Sequence, residues 1–343
     1  MTVPADSADT GSVLPSVAWA RMTPGVRDQL LVCLQLPGQM QLCALGGHRL
    51  ALRLGVLGPG RPAALRGTWT GVTTSLTERE HDPGQHYLIL EGQAGYDIIF
   101  GYLADELHAA VSQAAGPEEV PRLMLNVLQL WSGFLARGRS ELDRAAAVGL
   151  YAELAMLEQV VAPRVGWITA IALWKGPEQA PQDLAGHHLL AEVKSTSPDS
   201  QNATISSIDQ LDPQDGRTVW LAQALREVNG GDSLLAIRDR IMSACAAVTG
   251  EWPVSVRMRM LQANLLHLQE DHTNMGVAGW RIHRTDAPGF PVLRRAVLPA
   301  ALMRAVYTID LAACAEEEGT METLCLALDA ERITAEVGRE NEQ

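Results

Sequence analysis

The spacing of apolar residues changes character near Gly101, and that change limits the folds open to this 343-residue chain. From Gln29 to about Gly101 the apolar residues come in short stretches, Leu30 to Leu36, His48 to Val56, Gly67 to Ser75 and Tyr87 to Leu90, cut apart by Gly and Pro. Short apolar runs bounded by turn residues read as strands. From Leu103 the spacing becomes helical, over Leu103 to Ala114, Pro121 to Ala136 and Glu141 to Val161, with a break at Arg137 to Arg139 between the last two. A β-rich N-terminal region therefore leads into a helical connector.

Beyond the connector, Trp167 to Trp174 is a short apolar run and His188 to Ser197 a second, with Asp183 and the turn signal Ala185-Gly186 between them. The economical reading is a hairpin. Thr218 to Val228 suits a strand or a helix, and Asp232 to Ala247 has helical spacing after the Asn229-Gly230-Gly231 breaker. A strand is expected at Ala305 to Leu311 and an acidic helical end around Glu316 to Glu342. The expected divisions are a disordered N-terminus over 1–14, a β-rich domain over 15–115, a helical connector and α/β core over 116–250, and an α+β extension with an acidic tail over 251–343.

Composition excludes several classes. The chain is 47% hydrophobic yet has no uninterrupted apolar run of the length, about 18 residues, that spans a bilayer, so no membrane association is expected. Met1 to Gly11 is polar and lacks the basic and apolar regions of a secretory signal, which makes the cytoplasm the expected compartment. Five cysteines, odd in number and without a CxxC pair, suggest neither a zinc knuckle nor a disulfide framework. A net charge of -13 argues against non-specific coating of nucleic acid, so any phosphate contact needs basic groups gathered locally. Only Lys175 and Lys194 among the basic residues are lysines.

Lys194 lies in the most informative segment, Pro181-Gln182-Asp183-Leu184-Ala185-Gly186-His187-His188-Leu189-Leu190-Ala191-Glu192-Val193-Lys194-Ser195. Residues two apart on a strand share a face, so Glu192 and Lys194 point together. If the turn folds Asp183 back beside Glu192, two carboxylates and one ammonium converge, and the two anions repel unless a cation neutralises them. Mg²⁺ is a hard ion that takes oxygen ligands, commonly one or two carboxylates with several waters and substrate phosphate. In that scheme Asp183 and Glu192 hold the metal and the Val193 carbonyl adds a ligand. The metal acidifies a bound water and screens the scissile phosphate, while Lys194 orients or activates the attacking water and stabilises developing charge. Upstream, Glu153 shares a helical stripe with Leu150, Leu157 and Val161 and is expected to face inward. Burying it unpaired is costly, so it should meet a metal, the Lys194 ammonium or a hydrogen-bond donor.

These residues resemble the PD-(D/E)XK nuclease superfamily, with Asp183 as the acid of the first half and Glu192-Val193-Lys194 as the second; here the proline stands two residues before the aspartate. The match is closer to an uncharacterised bacterial family of PD-(D/E)XK-like proteins. It is carried by Leu150-Tyr151-Ala152-Glu153-Leu154, Trp174-Lys175-Gly176-Pro177, Asp183-Leu184, Glu192-Val193-Lys194-Ser195-Thr196, Ile205-Ser206-Ser207-Ile208-Asp209-Gln210-Leu211 and the late Val306-Tyr307-Thr308-Ile309-Asp310-Leu311. The resemblance implies an α/β fold with a mixed central sheet flanked by helices, a restriction-endonuclease-like core. It also implies Mg²⁺-dependent cleavage of DNA, with Mn²⁺ as a substitute, and association with restriction or phage-defence systems and their other subunits. Gln210 would then help to position Lys194 or the metal-bound water. Cutting both strands of a duplex usually takes two active sites, which fits a homodimer.

Each residue also has a plainer reading. Glu192 and Lys194 suit a solvated charge pair, which contributes only about 0 to 1 kcal/mol. Asp183 suits a turn beside Pro and Gly, Glu153 a helix-edge carboxylate reaching solvent, and Gln210 a polar residue opening a helix. His187 and His188 belong in an exposed turn, and Trp167, Trp174, Trp220, Trp252 and Trp280 suit packing better than base stacking. The arginines between Glu251 and Asp310 suit a phosphate-contacting surface and local ion pairs equally. Two other functions compete with the nuclease: an inactive nuclease-fold subunit that binds DNA or a partner, and a sensor of modified DNA.

Overall fold

The computed structural model describes residues 15, 33–36, 40–45, 49–56, 67–69, 71–79, 82–93, 96–112, 114, 116, 119–135, 142–178, 180–197, 199–213, 215–227, 229–249, 254–266, 268, 271–314 and 320–341. The disorder expected over 1–14 and the break at 137–139 fall outside these residues. The chain divides into two compact units, 1–140 and 141–343.

Among the described residues, the first unit holds a six-stranded sheet and two long helices. Its strands are β1 (Cys33–Leu36), β2 (Met40–Leu45), β3 (Arg49–Val56), β4 (Gly67–Trp69), β5 (Val72–Arg79) and β6 (Asp82–Gly92), in the order β1-β2-β3-β6-β5-β4. All pairings are antiparallel. The register aligns Leu42, Leu52 and Leu90 across three strands, and beside them Met40, Leu54 and Leu88, all of them buried. Burying each such side chain stabilises the fold by about 1.5–3 kcal/mol. Helix α1 (Asp97–Ser112) meets β3 and pairs with α2 (Val120–Leu135), where the buried Trp131 indole donates to Glu106 Oε2 at 3.0 Å. Both helices belong to this unit, where α1 buries Phe100, Leu103 and Leu107.

The second unit opens with α3 (Arg144–Met156). Asp143 caps it by accepting the Ala146 N–H at 2.8 Å. The helix widens into a π turn over Leu157–Val161 before α4 (Ala162–Val165). Pro163 explains the widening, since its ring has no N–H to donate to the carbonyl four residues back and crowds it. The continuous segment Arg144–Val165 is long and apolar enough to cross a membrane by length and composition, but half of its apolar window is buried within the protein, as in a core helix.

Next come α5 (Trp167–Leu173), β7 (Leu184–Ala185), β8 (Leu190–Thr196), β9 (Asn202–Ile205), β10 (Trp220–Arg226), α6 (Leu234–Thr249), α7 (Val254–Gln262), β11 (Val277–Arg284), β12 (Tyr307–Asp310) and α8 (Thr320–Asn341). The main sheet has the order β11-β10-β8-β7 and is mixed: β10 runs parallel to β8 and the other pairs are antiparallel. Helix α3 packs on β8 and α6 on α3. On the sheet face that carries Leu190 and Leu221, β9 and β12 form an antiparallel ribbon, and Ala203, Ile205 and Ile309 close a core with those two leucines. The result is the α/β arrangement expected from sequence, a mixed sheet flanked by helices.

One element differs from the reading of the sequence. The strand expected at Trp167 to Trp174 is the helix α5, with 170, 171, 173 and 174 buried and 172 exposed. A short apolar run does not by itself separate a buried strand from a buried helix. The hairpin is instead built from β7 and β8, and Trp174 contributes only a single antiparallel bridge to Leu184. The open choice at Thr218 to Val228 resolves as the strand β10.

Candidate active site

The site grows from β8. Alternation along the strand puts Glu192 and Lys194 on one face, where Lys194 Nζ lies 2.7 Å from Glu192 Oε1. The pair is not a solvated one: the Glu192 side chain is 1% exposed and that of Lys194 19%. Strand β7 is only two residues long and pairs Leu184 with Ala191. Its shortness leaves the next N–H on that edge of β8, that of Val193, without a strand partner. Asp183 steps in, and its Oδ2 accepts this N–H at 2.8 Å. Extending the antiparallel register by one residue sets Asp183 across from Glu192, so the carboxylates meet on the hairpin as the sequence suggested. Within a strand the N–H and C=O of one residue point to the same edge, so the Val193 carbonyl faces the same side as Asp183.

Two further segments close around this hairpin. The backbone carbonyl of Asp183 accepts N–H groups from Lys175 at 2.7 Å and Gly176 at 3.1 Å. That places Trp174 so that its indole N–H donates to Glu153 Oε2 at 2.8 Å. Gly176 leaves room for the cluster here: a Cβ would fall on Glu153 Oε2, which would have to shift, and would come within 3.3 Å of Asp183 Oδ1. On the other side, Gln210 in the 3₁₀ turn Ile208–Gln210 accepts the Ser206 N–H at 2.7 Å and donates to Glu192 Oε1 at 2.7 Å. Buried Gln182 ties the halves together, donating to the carbonyls of Asp209 at 2.6 Å and Gln210 at 3.2 Å.

The electrostatics follow from the crowding. Burial, then the charge of Asp183, pushes Glu192 up to about 8 against the pull of Lys194. Burial and Asp183 likewise raise Glu153 well above the carboxylate range, opposed by the Trp174 hydrogen bond. Asp183 is raised by burial, and the Val193 N–H and Lys194 act in the opposite direction. One ammonium does not neutralise three carboxylates, so at neutral pH the cluster retains protons or takes up a cation.

The donors suit a hard cation. Glu192 Oε2 is buried and has no hydrogen-bond partner, an oxygen left over after Oε1 has taken both Lys194 and Gln210. Asp183 keeps Oδ1 while Oδ2 holds Val193. Among the described residues no cage of three or more His, Cys, Asp and Glu ligands exists; two carboxylates with a carbonyl match instead the open set that Mg²⁺ fills with water and phosphate.

The structure thus brings Glu153, Asp183, Glu192, Lys194 and Gln210 together, with the Val193 backbone. Trp174 carries a role that packing alone did not foretell, and its signal was the Trp174-Lys175-Gly176-Pro177 motif. Gln182 was missed, although it adjoins Asp183. Equally unforeseen was Glu331 on α8, whose buried Oε1 accepts the N–H groups of His188 and, at 2.9 Å, Leu189, and so pins the β7–β8 turn. His187 and His188 are exposed in that turn, with His188 Nε2 3.1 Å from Thr334 Oγ1. Several arginines of the basic stretch pair with acids: Arg259 with Glu178, Arg284 with Asp286, Arg294 with Asp212 and Arg295 with Asp209. Trp220 bonds Thr323 and Trp280 bonds Gln159, while Trp252 lies outside the described residues.

Comparison with known proteins finds no matching curated protein and no matching solved structure. Residues 15–312 match a family described as "Putative PD-(D/E)XK family member, (DUF4420)". Spanning most of the sequence and enclosing every residue of the cluster, this match establishes that the chain belongs to that PD-(D/E)XK family.

Proposed function

We propose that this protein hydrolyses DNA phosphodiester bonds with the help of a divalent cation, Mg²⁺ or its substitute Mn²⁺. The observation that carries the reading is the buried, unpartnered Glu192 Oε2 beside Asp183, with the Lys194 ammonium 2.7 Å from the other Glu192 oxygen. Asp183, Glu192 and the Val193 carbonyl would hold the ion, which when bound acidifies a coordinated water and screens the scissile phosphate. Lys194 touches Glu192 through one donor and keeps others for the attacking water or a non-bridging phosphate oxygen, where it would orient the one and stabilise charge on the other. Gln210 fixes the Glu192 carboxylate, and Glu153, raised well above the usual carboxylate range by burial and by Asp183, steadies the Trp174 to Asp183 wall.

A role in a bacterial restriction or phage-defence system rests on the family resemblance, and cutting both strands of a duplex would call for a second copy of the chain. The test is cleavage of plasmid and linear duplex by the purified chain with Mg²⁺. Lys194→Ala should abolish cutting while the melting temperature stays within a few degrees of the parent; equal cleavage by the variant rejects the assignment. Calorimetric titration with Mn²⁺ separates the alternative of an inactive nuclease-fold subunit, which would show no carboxylate-dependent metal affinity.

A further inference from the structure

We propose that the two-stranded ribbon of β9 and β12 reads base edges in the DNA major groove beside the active site. The ribbon pairs Asn202 with Asp310, Ala203 with Ile309, Thr204 with Thr308 and Ile205 with Tyr307. Side chains alternate along each strand, so it has two faces. Ala203, Ile205 and Ile309 are buried against Leu190 and Leu221 of the main sheet, while Asn202, Thr204 and Thr308 are exposed on the other side. Among the described residues no side-chain hydrogen bond occupies these three. Asp310 shares their face, with Oδ1 accepting the Ala312 N–H at 3.0 Å.

The ribbon is fastened to the site at both ends of β9. Before its start, Arg281 donates to Gln201 Oε1 at 2.6 Å, and Arg281 stands in one cross-strand row with Gln223 and Lys194. After its end, the Ser206 N–H donates to Gln210, which itself donates to Glu192, each at 2.7 Å. Leu190, Glu192 and Lys194 lie on one face of β8, and the ribbon packs on that face. Its outward side chains therefore leave the sheet on the same side as the Glu192 carboxylate and the Lys194 ammonium. Strands of this length span about 10 Å, and a two-stranded ribbon enters the major groove, about 12 Å wide. The exposed side chains suit bases rather than phosphates. An asparagine amide pairs with adenine N6 and N7, and a threonine offers a hydroxyl to either kind of base and a methyl to thymine. Being neutral, they release no counterions on binding, so they add selectivity without salt dependence.

This inference rests on the nuclease reading, and its test separates the two. Full-length protein in EDTA, where no metal-dependent cutting occurs, selects duplexes from a randomised pool. Affinity is then measured for the selected duplex, for an unrelated duplex, and for the selected duplex built with 7-deazapurines, which lack the N7 acceptor of the major groove. The parent should favour the selected duplex over each of the other two by about tenfold or more. Asn202→Ala/Thr204→Ala/Thr308→Ala should bind all three duplexes alike while keeping the parent's melting temperature and the salt dependence of its binding. Parallel plasmid nicking by the parent with Mg²⁺ reports on the active site independently. A parent that binds no duplex, binds every duplex alike or ignores the 7-deaza change overturns the ribbon as reader, and so does a triple variant that keeps the parent's preference, even if nicking proceeds. Selective binding that the triple variant loses, in a parent that does not nick, would leave the ribbon standing and remove the nuclease.

Discussion

Glu192 Oε1 receives both Lys194 Nζ and Gln210 Nε2, each at 2.7 Å, while its other oxygen is buried with no donor at all. The carboxylate is held by one arm and free on the other. Gln210 acts through Glu192, as groups behind a ligand commonly do, and losing such a partner costs about 10–100-fold in metal affinity or activity. Gln210→Ala should lower plasmid nicking and Mn²⁺ affinity by that order, and Gln210→Glu should lower both further by adding a fourth carboxylate. Unchanged calorimetric affinity in Gln210→Ala would mean that the contact is incidental.

The raised carboxylates give the metal-free protein an inverted pH response. The folded-state value of Glu192, about 8, stands above the ordinary 4.5. Its contribution to stability is therefore complete below about pH 4.5 and is lost as pH climbs through 8. In EDTA the melting temperature should fall between pH 6 and pH 9, and Mg²⁺ should suppress the fall, because the ion replaces protons that the acid form carries. Glu192→Gln should flatten the EDTA profile and abolish metal binding. A parent profile already flat over that range would contradict the cluster as drawn.

Gly176 is a point where shape alone should govern activity. A methyl group there meets the Glu153 carboxylate and approaches Asp183. Gly176→Ala should cost at least tenfold in cleavage, read by plasmid nicking, with only about 1–3 kcal/mol of stability lost as the neighbouring side chains are displaced. Trp174→Phe should lower stability by about 1 kcal/mol, measured by denaturant melts, since it leaves the half-buried Glu153 without its indole donor.

Glu331 is 4% exposed and satisfies two N–H groups of the β7–β8 turn. Glu331→Ala should orphan both at about 1–3 kcal/mol each, a loss visible in chemical denaturation. Gly186→Ala should produce a similar loss, because a Cβ at that glycine collides with the Glu331 carboxylate and with Leu173. Glu331→Gln keeps one acceptor oxygen and should recover part of the stability. Helix α8 begins at Thr320, past the family match that ends at 312, so removing it tests whether this clamp is needed for the hairpin to hold its geometry.

What could be read from sequence was what chain neighbours decide. Glu192 and Lys194 share a face because strand periodicity is two, and Asp183 returns to them because the intervening turn is short. The inward aim of Glu153 followed from its place on an apolar stripe. Contacts fixed by distant chain were invisible: Glu331 lies 143 positions from His188, and Asp209 is 86 from Arg295. The arginine stretch left a phosphate surface and ion pairs equally open, because the acids that meet Arg294 and Arg295 sit far away in sequence. Trp167 to Leu173 was misread because tertiary burial chose the helix where the pattern allowed two answers.

The near absence of lysine turns amine chemistry into a reporter. Lys175 and Lys194 are the only two side-chain amines, and arginine does not react as an amine because it stays protonated in proteins. Reductive methylation with isotopically labelled formaldehyde would therefore yield two side-chain resonances. The one from Lys194, locked against Glu192, would announce each arrival of an ion or a phosphate without any further labelling.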